Sequence, residues 1–318
     1  MKKIFILLLM VHVLLVGCTN KNNIATKDND KLDIYTTVYP LQYFTEQIGG
    51  DFVDVKTIYP AGADEHTFEP TQKDMIHLAD ADIFFYVGLG LEGFVDKAKK
   101  TLKNEQVLFI GAGENIHFDQ SLHEEAIHED DEHSDHEDDG HHHGDIDPHV
   151  WIDPVYAKEI AHAIKEALIE KMPEHKEQLE ENYTALAKKL DQLNADFGKL
   201  MHESKHNEII VSHAAFGYWE KRYGLEQISV SGLSSSDEPT QKELENILNV
   251  AKSHQLKYVF FEQNVNSRLT EIIQKELKAE PLILHNLAVL TSDDVKNKAN
   301  YFSIMANNLA ALKKALND

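Results

Sequence analysis

Three histidines stand alone where one predicted element gives way to the next, and their side chains are well placed to bind a metal ion. His66 follows the apolar segment FVDVKTIY, His149 precedes a predicted helix in DPHVWIDP, and His213 ends EIIVSH. In open α/β sheets, ligand-binding groups gather beyond the carboxyl ends of the strands, so these side chains could converge in one cleft. Three neutral imidazoles favour Zn(II) over the harder Mn(II).

A second group of histidines lies in an acidic segment. Residues 119–147 hold thirteen Asp and Glu and no Lys or Arg. So little apolar surface predicts a disordered loop over about 117–146, whose imidazoles and carboxylates would bind divalent metals weakly. A solvated linker with no role is the alternative. The histidines of this accessory metal loop are His117, His123, His128, His133, His136, His141, His142 and His143.

The rest of the chain predicts an α/β fold. From residue 32 onward, strand-like segments alternate with helix-like ones, which is typical of parallel sheets covered on both faces. The scheme occurs twice, and the pentapeptide EPTQK recurs at Glu69–Lys73 and Glu238–Lys242, each time before a helix. Between the halves, apolar residues spaced by three and four after Pro173 predict one long helix. We therefore expect two similar lobes with mostly parallel sheets, joined by one long rigid helix, with the metal site in the cleft between them.

The predicted domains follow this division. They are an N-terminal lobe over 32–172, a linking helix over 173–204 and a C-terminal lobe over 205–318. Residues 1–17, with a basic start and a short apolar run, predict a signal peptide. The run ends in LVGC, which is typical of a bacterial lipobox and predicts lipidation of Cys18 and a polar tether over 18–31. A plain signal peptide with an incidental cysteine is the alternative.

Charge and cysteine content exclude several other functions. The net charge of −23 argues against nucleic acid and anionic membrane surfaces as partners. Cys18 is the only cysteine, so the chain can form neither an internal disulfide nor a site with several thiolates.

From the LVGC motif to the last predicted helix, the chain resembles the zinc-binding solute-receptor lipoproteins of bacterial ABC importers, the ZnuA/AdcA-like group of metal-binding cluster A-I. The resemblance implies a lipid-anchored, extracytoplasmic, monomeric receptor at the cell membrane that is not an enzyme and delivers zinc to an ABC permease. It also implies that His66, His149 and His213 are ligands. The motifs that carry it are GADEHTFEPTQKD, the His-rich segment, DPHVWIDP, SHAAFGYWEKRYGL, DEPTQKEL and KYVFFEQNVNS.

The fourth ligand departs from the family pattern. Close relatives place a Glu in a segment like N-L/M-E-x-L, whereas this chain has HNLAVL, with Ala288 in the Glu slot. Glu65, directly before His66, is predicted to complete the site, and a water molecule or a group from the C-terminal lobe is the alternative.

Side chains near the predicted ligands have expected supporting roles. Asp147, two residues from His149, would orient the imidazole or cap the turn before Pro148. Trp151 would pack in the wall of the cleft. His285, at the end of the predicted strand PLILHN, is a further candidate that no motif supports.

Other functions remain open at this point. A manganese or iron receptor of the same family would use two histidines and two carboxylates, but the third ligand position here is His213. A zinc enzyme with three histidine ligands is an alternative hypothesis to a receptor, although no obvious general base accompanies the three segments. A surface zinc buffer or adhesin would have several weak sites.

Overall fold

The protein is described here by a computed structural model. Nearly all of the predicted signal peptide and tether, with Cys18, lies outside the described residues, as does most of the His-rich segment. Within the described part of the chain, no helix is both long and apolar enough to cross a bilayer. The described residues are 31–118, 146–234, 237, 239–263 and 267–318.

The first sheet has four parallel strands in the order β2-β1-β3-β4. The strands are β1 (Leu32–Thr36), β2 (Val53–Thr57), β3 (Ile83–Tyr86) and β4 (Leu108–Gly111). Three helices connect them, namely α1 (Tyr39–Gly49), α2 (Gln72–Ala79) and α3 (Val95–Thr101). All four residues of β3 are buried, which is why this strand reads as the continuous apolar run IFFY.

Two helices link the halves. They are α4 (Pro154–Lys171) and α5 (Lys176–Glu203), and a 3-10 turn over Pro173–His175 separates them. Proline lacks the N–H that would continue α4, so α4 ends before Pro173 and α5 begins directly after the turn. The 28 residues of α5 span about 42 Å. Its buried residues are Leu179, Leu186, Leu190, Leu193, Phe197 and Leu200.

The second sheet repeats the topology of the first, with four parallel strands in the order β6-β5-β7-β8. The strands are β5 (Glu208–His213), β6 (Glu226–Ser231), β7 (Tyr258–Phe261) and β8 (Glu280–Ile283). The helices are α6 (Gly217–Tyr223), α7 (Gln241–Ser253), α8 (Arg268–Leu277), α9 (Ser292–Lys296) and α10 (Tyr301–Asn317). Helix α6 ends at Gly224, which adopts a left-handed conformation with φ of 74° that favours glycine.

The last strand is shorter than the predicted strand PLILHN. It ends at Ile283, so His285 lies beyond the sheet. The cause is Asn308, whose side chain accepts a hydrogen bond from the backbone N–H of His285 and donates one to its carbonyl oxygen. These bonds use the backbone groups that a longer strand would pair with its neighbour.

Thr71 and Thr240, the threonines of the two EPTQK copies, each precede the helix that follows the second strand of a sheet. Thr71 caps α2 with Asp74 in a capping box, and Thr240 caps α7 with Glu243 in the same way. The predicted helix starts are therefore confirmed at both copies.

Two groups of buried apolar side chains fill the interior. The main core joins the first sheet, α1, α4, α5, α10 and one face of β5. The small cluster lies between the second sheet, α7 and α8, and its buried members are Ile210, Val230, Ala251, Val259, Ile273 and Ala279. Residues 31–318 form one compact unit, so the residue limits of the predicted domains stay a prediction.

Candidate metal centre

Each predicted ligand histidine lies where a secondary-structure element ends or begins. His213 is the last residue of β5, which lies inside the second sheet between β6 and β7. His149 directly precedes a 3-10 turn over Val150–Ile152, and His66 lies in the loop between β2 and α2. His149 is fully buried, whereas the side chain of His66 is 11% exposed. The centre therefore has one accessible side, at His66.

The Nε2 atoms of the three imidazoles converge. His149 Nε2 lies 3.3 Å from His66 Nε2 and 3.3 Å from His213 Nε2. A tetrahedral zinc ion with Zn–N bonds of about 2.0–2.1 Å places neighbouring nitrogens about 3.3–3.4 Å apart. One ligand atom from each of Glu65 and the three histidines lies within 4.8 Å of the others, the single such group in the described residues. This spacing suits a small divalent ion with three nitrogens and one oxygen.

Carboxylates hold the outer nitrogens of two imidazoles. Asp147 Oδ1 lies 2.7 Å from Nδ1 of His149 and accepts a second bond from its backbone N–H. Glu262 Oε1 contacts Nδ1 of His213. Because an ionised carboxylate can only accept, the proton of each neutral ring is on Nδ1 and the lone pair is on Nε2. Asp147 thus takes the orienting position that the sequence predicted.

Burial controls the charges at the centre. It raises the pKa of the Glu65 carboxyl to about 7, and the charge of Glu262 acts in the same direction. Burial and the two neighbouring imidazoles lower the pKa of His66 to about 4. For His213, burial lowers the pKa, but the hydrogen bond and charge of Glu262 outweigh it and leave the pKa raised. His66 is therefore neutral near pH 7, as a metal ligand must be.

Glu65 approaches the three imidazoles from the first lobe. Its Oε1 lies 4.0 Å from His66 Nε2 and accepts a 2.8 Å hydrogen bond from Asn286 Nδ2. Its backbone carbonyl accepts a bond from the Tyr59 hydroxyl. Contacts from both lobes therefore hold this carboxylate at the centre.

Sequence reasoning missed Glu262 and Asn286. Glu262 directly follows β7, the strand beside the one that ends in His213. Because ligand-binding groups gather beyond the carboxyl ends of parallel strands, Glu262 could have been predicted in the same way as His213. Asn286 lies in the loop after β8, and no residue pattern marks it, because its contacts depend on how that loop folds.

Trp151, Ala288 and His285 differ in their relation to the centre. Trp151 is fully buried and its Nε1 donates a 2.7 Å bond to the carbonyl oxygen of Asn286, which agrees with a packing role in the wall. Ala288 is buried and its methyl group offers no ligand atom. His285 lies outside the cluster, with Nε2 3.3 Å from Asp294 Oδ2.

Of the eight histidines in the predicted accessory loop, His117 is described. Its backbone N–H donates a 2.9 Å bond to Glu159 Oε2, and its side chain is 95% exposed. The other seven lie outside the described residues, so their predicted role stays a prediction.

The spacing of a zinc-protease motif also occurs, as HESKH over 202–206. In such enzymes both histidines lie on one helix face. Here α5 ends at Glu203, so His206 lies beyond the helix, and both histidines are exposed. Neither belongs to the cluster around His149.

Known proteins similar to this chain include zinc-binding and zinc-uptake proteins, which agrees with the geometry of the centre. The family model described as "Zinc-uptake complex component A periplasmic" matches residues 34–315. The chain belongs to this family. It is 34% identical over 306 residues to the high-affinity zinc uptake system protein ZnuA of Bacillus subtilis, covering 96% of this chain and 94% of that protein.

A further relative, AdcA, comes from Streptococcus pneumoniae. The zinc-binding lipoprotein AdcA is 35% identical over 316 residues, which is 99% of this chain but 61% of AdcA, so the chain spans under two thirds of that relative. The crystal structure of the Zn(II)-bound ZnuA-like domain of AdcA superposes with a TM-score of 0.73 at 32% identity, covering 91% of this chain and 100% of the domain. Together with the two sheets and α5, this likeness confirms the predicted fold class.

Proposed function

We propose that this protein is an extracytoplasmic receptor that binds Zn(II) between His66, His149 and His213 and delivers it to the permease of an ABC importer. The observation that carries the proposal is the convergence of the three imidazoles, with His149 Nε2 at tetrahedral spacing of 3.3 Å from the Nε2 atoms of both His66 and His213. Membership of the zinc-uptake family and the likeness to Zn(II)-bound AdcA support it. In this role zinc is cargo, and the protein performs no chemical step on it.

The protonation of the rings explains why a cation belongs at this place. The Nδ1 protons of His149 and His213 point at carboxylates, so the Nε2 lone pairs of the two rings face each other across 3.3 Å. When both rings are neutral, two lone pairs at that distance in a dry pocket repel each other, and a metal ion between them turns the repulsion into coordination. The carboxylates behind the rings also strengthen the imidazoles as ligands.

Glu65 is the proposed fourth ligand. Its carboxyl lies with the three histidines in one group of possible ligands. Ala288 occupies the position of the ligand Glu in close relatives and has no side-chain oxygen. A pKa raised to about 7 means that zinc binding also displaces a proton from this carboxyl in part of the population at neutral pH. A water molecule in the fourth position is the competing arrangement, and retention of full affinity by Glu65→Ala would favour it.

The remaining parts of the proposal concern the surroundings of the centre. Lipidation of Cys18 would keep the monomeric receptor at the outer face of the cell membrane. The His-rich loop would collect zinc at low concentration and pass it to the centre. If so, cells producing protein without residues 119–145 should take up less zinc when zinc is limiting, and normal uptake would refute the collecting role.

The deciding experiment measures zinc affinity of the purified protein and of His149→Ala by competition with a chelating dye. The variant should lose more affinity than the roughly 10- to 100-fold typical for an outer-shell partner. His254→Ala is the matched control, because His254 is exposed and pairs with Glu208 away from the centre. Tight zinc binding that survives His149→Ala would overturn the proposal.

The same preparation separates the alternatives. A manganese receptor would bind Mn(II) at least as tightly as Zn(II). A surface zinc buffer would show several weak sites that disappear with residues 119–145. A zinc enzyme would hydrolyse activated esters in a zinc-dependent way, which we do not expect.

A further inference from the structure

The side chain of Asn286 connects the two carboxylates nearest the three imidazoles. Its Nδ2 donates one 2.8 Å hydrogen bond to Glu65 Oε1 and another to Glu262 Oε2. Glu65 belongs to the first lobe and Glu262 to the second, so this amide bridges the lobes beside the metal centre. Asn286 is itself 2% exposed.

The orientation of this amide is fixed by its other bonds. Its Oδ1 accepts from the backbone N–H of Ala288 at 3.0 Å and from Gln263 Nε2 at 2.9 Å. A backbone N–H can only donate, so the oxygen must face Ala288 and the NH₂ group must face the carboxylates. Both donors and both acceptor positions of the amide are in use, which leaves Asn286 little freedom to turn.

We infer that Asn286 determines metal specificity, by holding Glu65 so that this carboxylate gives the ion one oxygen and no more. The inference rests on the proposed function, since it concerns the same centre. The oxygen that Asn286 holds, Oε1, is also the one 4.0 Å from His66 Nε2. A carboxylate with one oxygen tied to an amide in this way cannot easily rotate to present both oxygens to a cation.

The number of oxygens decides which metal the centre prefers. Three imidazoles and one oxygen make the four-coordinate set that zinc accepts, whereas Mn(II) prefers six ligands rich in oxygen. Without the amide, Glu65 and Glu262 would lose the hydrogen-bond donor that they share. Glu65 could then turn both oxygens toward the ion, and the added ligand would favour the harder metal.

The test compares Zn(II) and Mn(II) affinities of the wild-type protein, Asn286→Ala and Asn286→Ser. We expect the ratio of the manganese to the zinc dissociation constant to fall by about 10- to 100-fold in both variants. Loaded with Co(II), the wild type should show the intense absorption bands of a tetrahedral ion. The variants should show the weaker bands of five- or six-coordinate cobalt, which a purely structural role of Asn286 would not produce.

Asn308→Ala is the matched control. Asn308 is a buried asparagine that anchors His285 in the same loop but does not contact Glu65 or Glu262. This variant should lose stability without changing the metal ratio or the cobalt spectrum. The double variant Glu65→Ala/Asn286→Ala should have the same ratio of manganese to zinc dissociation constants as Glu65→Ala alone. The reason is that Asn286 acts through the Glu65 carboxylate, which both proteins lack.

The outcomes separate this inference from the function on which it rests. An unchanged ratio and cobalt spectrum in Asn286→Ala would overturn the inference and leave the zinc receptor intact, whereas a wild type without tight zinc binding would overturn the function itself. If neither Asn286 variant folds, a crystal structure of the zinc-loaded wild type decides. One Glu65 oxygen on the ion, with Asn286 still bonded to Glu65, supports the inference. Two oxygens, none, or a broken Asn286 bond refutes it.

Discussion

The two sheets share one strand order, yet their interiors differ. In β5, Ile209 and Val211 face the main core, while Ile210 between them faces the small cluster, as the alternation of side chains along a strand requires. The main core continues through α4, α5 and α10, and the segment around His149 packs into it. The small cluster buries six residues under α7 and α8. The metal centre is thus supported by the larger interior, and we expect the layer of α7 and α8 to open locally at lower free energy.

The largest effect is expected from breaking an ion pair on the side of the main core whose carboxylate is fully buried. Arg222 on α6 pairs with Asp153, which is fully buried and caps α4. Arg222→Ala leaves that carboxylate without its counterion, and the free energy of unfolding should fall by about 3–5 kcal/mol. Thermal and urea denaturation would measure the loss as a shift of one cooperative transition.

The double variant Asp153→Asn/Arg222→Met is the control for the unpaired charge. It keeps the apolar volume and removes both charges, so it should recover much of the lost stability. An Arg222→Ala protein as stable as the wild type would show that the two lobes are not joined by this pair.

A smaller effect is expected in the small cluster. Ile273 on α8 is 1% exposed, and Ile273→Ala should cost about 2–3 kcal/mol, the lower part of the range for such truncations, because its few neighbours can relax. Hydrogen exchange should accelerate in α7 and α8, and zinc affinity should stay unchanged. Ile272→Ala is the control, because Ile272 is next to Ile273 in the chain and is 44% exposed. Equal acceleration throughout the chain would contradict the division into two interiors.

The smallest effect uses the repeated pentapeptide. Thr71→Ala and Thr240→Ala each remove the same capping box, and each should cost about 1 kcal/mol of helix stability. Because the contacts of α7 belong to the small cluster, Thr240→Ala should raise hydrogen exchange in α7 and α8, whereas the effect of Thr71→Ala should be confined to α2. Identical exchange patterns for the two variants would mean that the lobes respond alike.

The fold class could be predicted from the sequence because the residues within or beside each helix and strand indicate its type and its ends. The apolar run of β3, the capping box at Thr240 and the stop at Gly224 each act through neighbours in the chain. The convergence of His66 and His213 could be expected from the sequence because parallel strands bring the residues that follow them to one edge of a sheet. His149 precedes a helix, so its place beside them depends on how the two halves pack. Asn286 could not be found, because its partners lie 221 and 24 residues away and become neighbours only after folding. The end of β8 was misplaced for a similar reason, as Asn308 on a distant helix determines it.

The segment before α4 has a consequence for the rate of ion exchange. Three donors from the second half, the hydroxyls of Tyr218 and Tyr301 and Nε1 of Trp219, bond to backbone carbonyls within residues 147–152. Separating the two sheets would break these three bonds together. Motion of the loop that carries Glu65 and His66 would leave them intact and would break the bond between Glu65 and Asn286. We expect an ion to enter and leave through motion of that loop, so the residence time of zinc would follow the mobility of a few residues rather than the parting of two lobes.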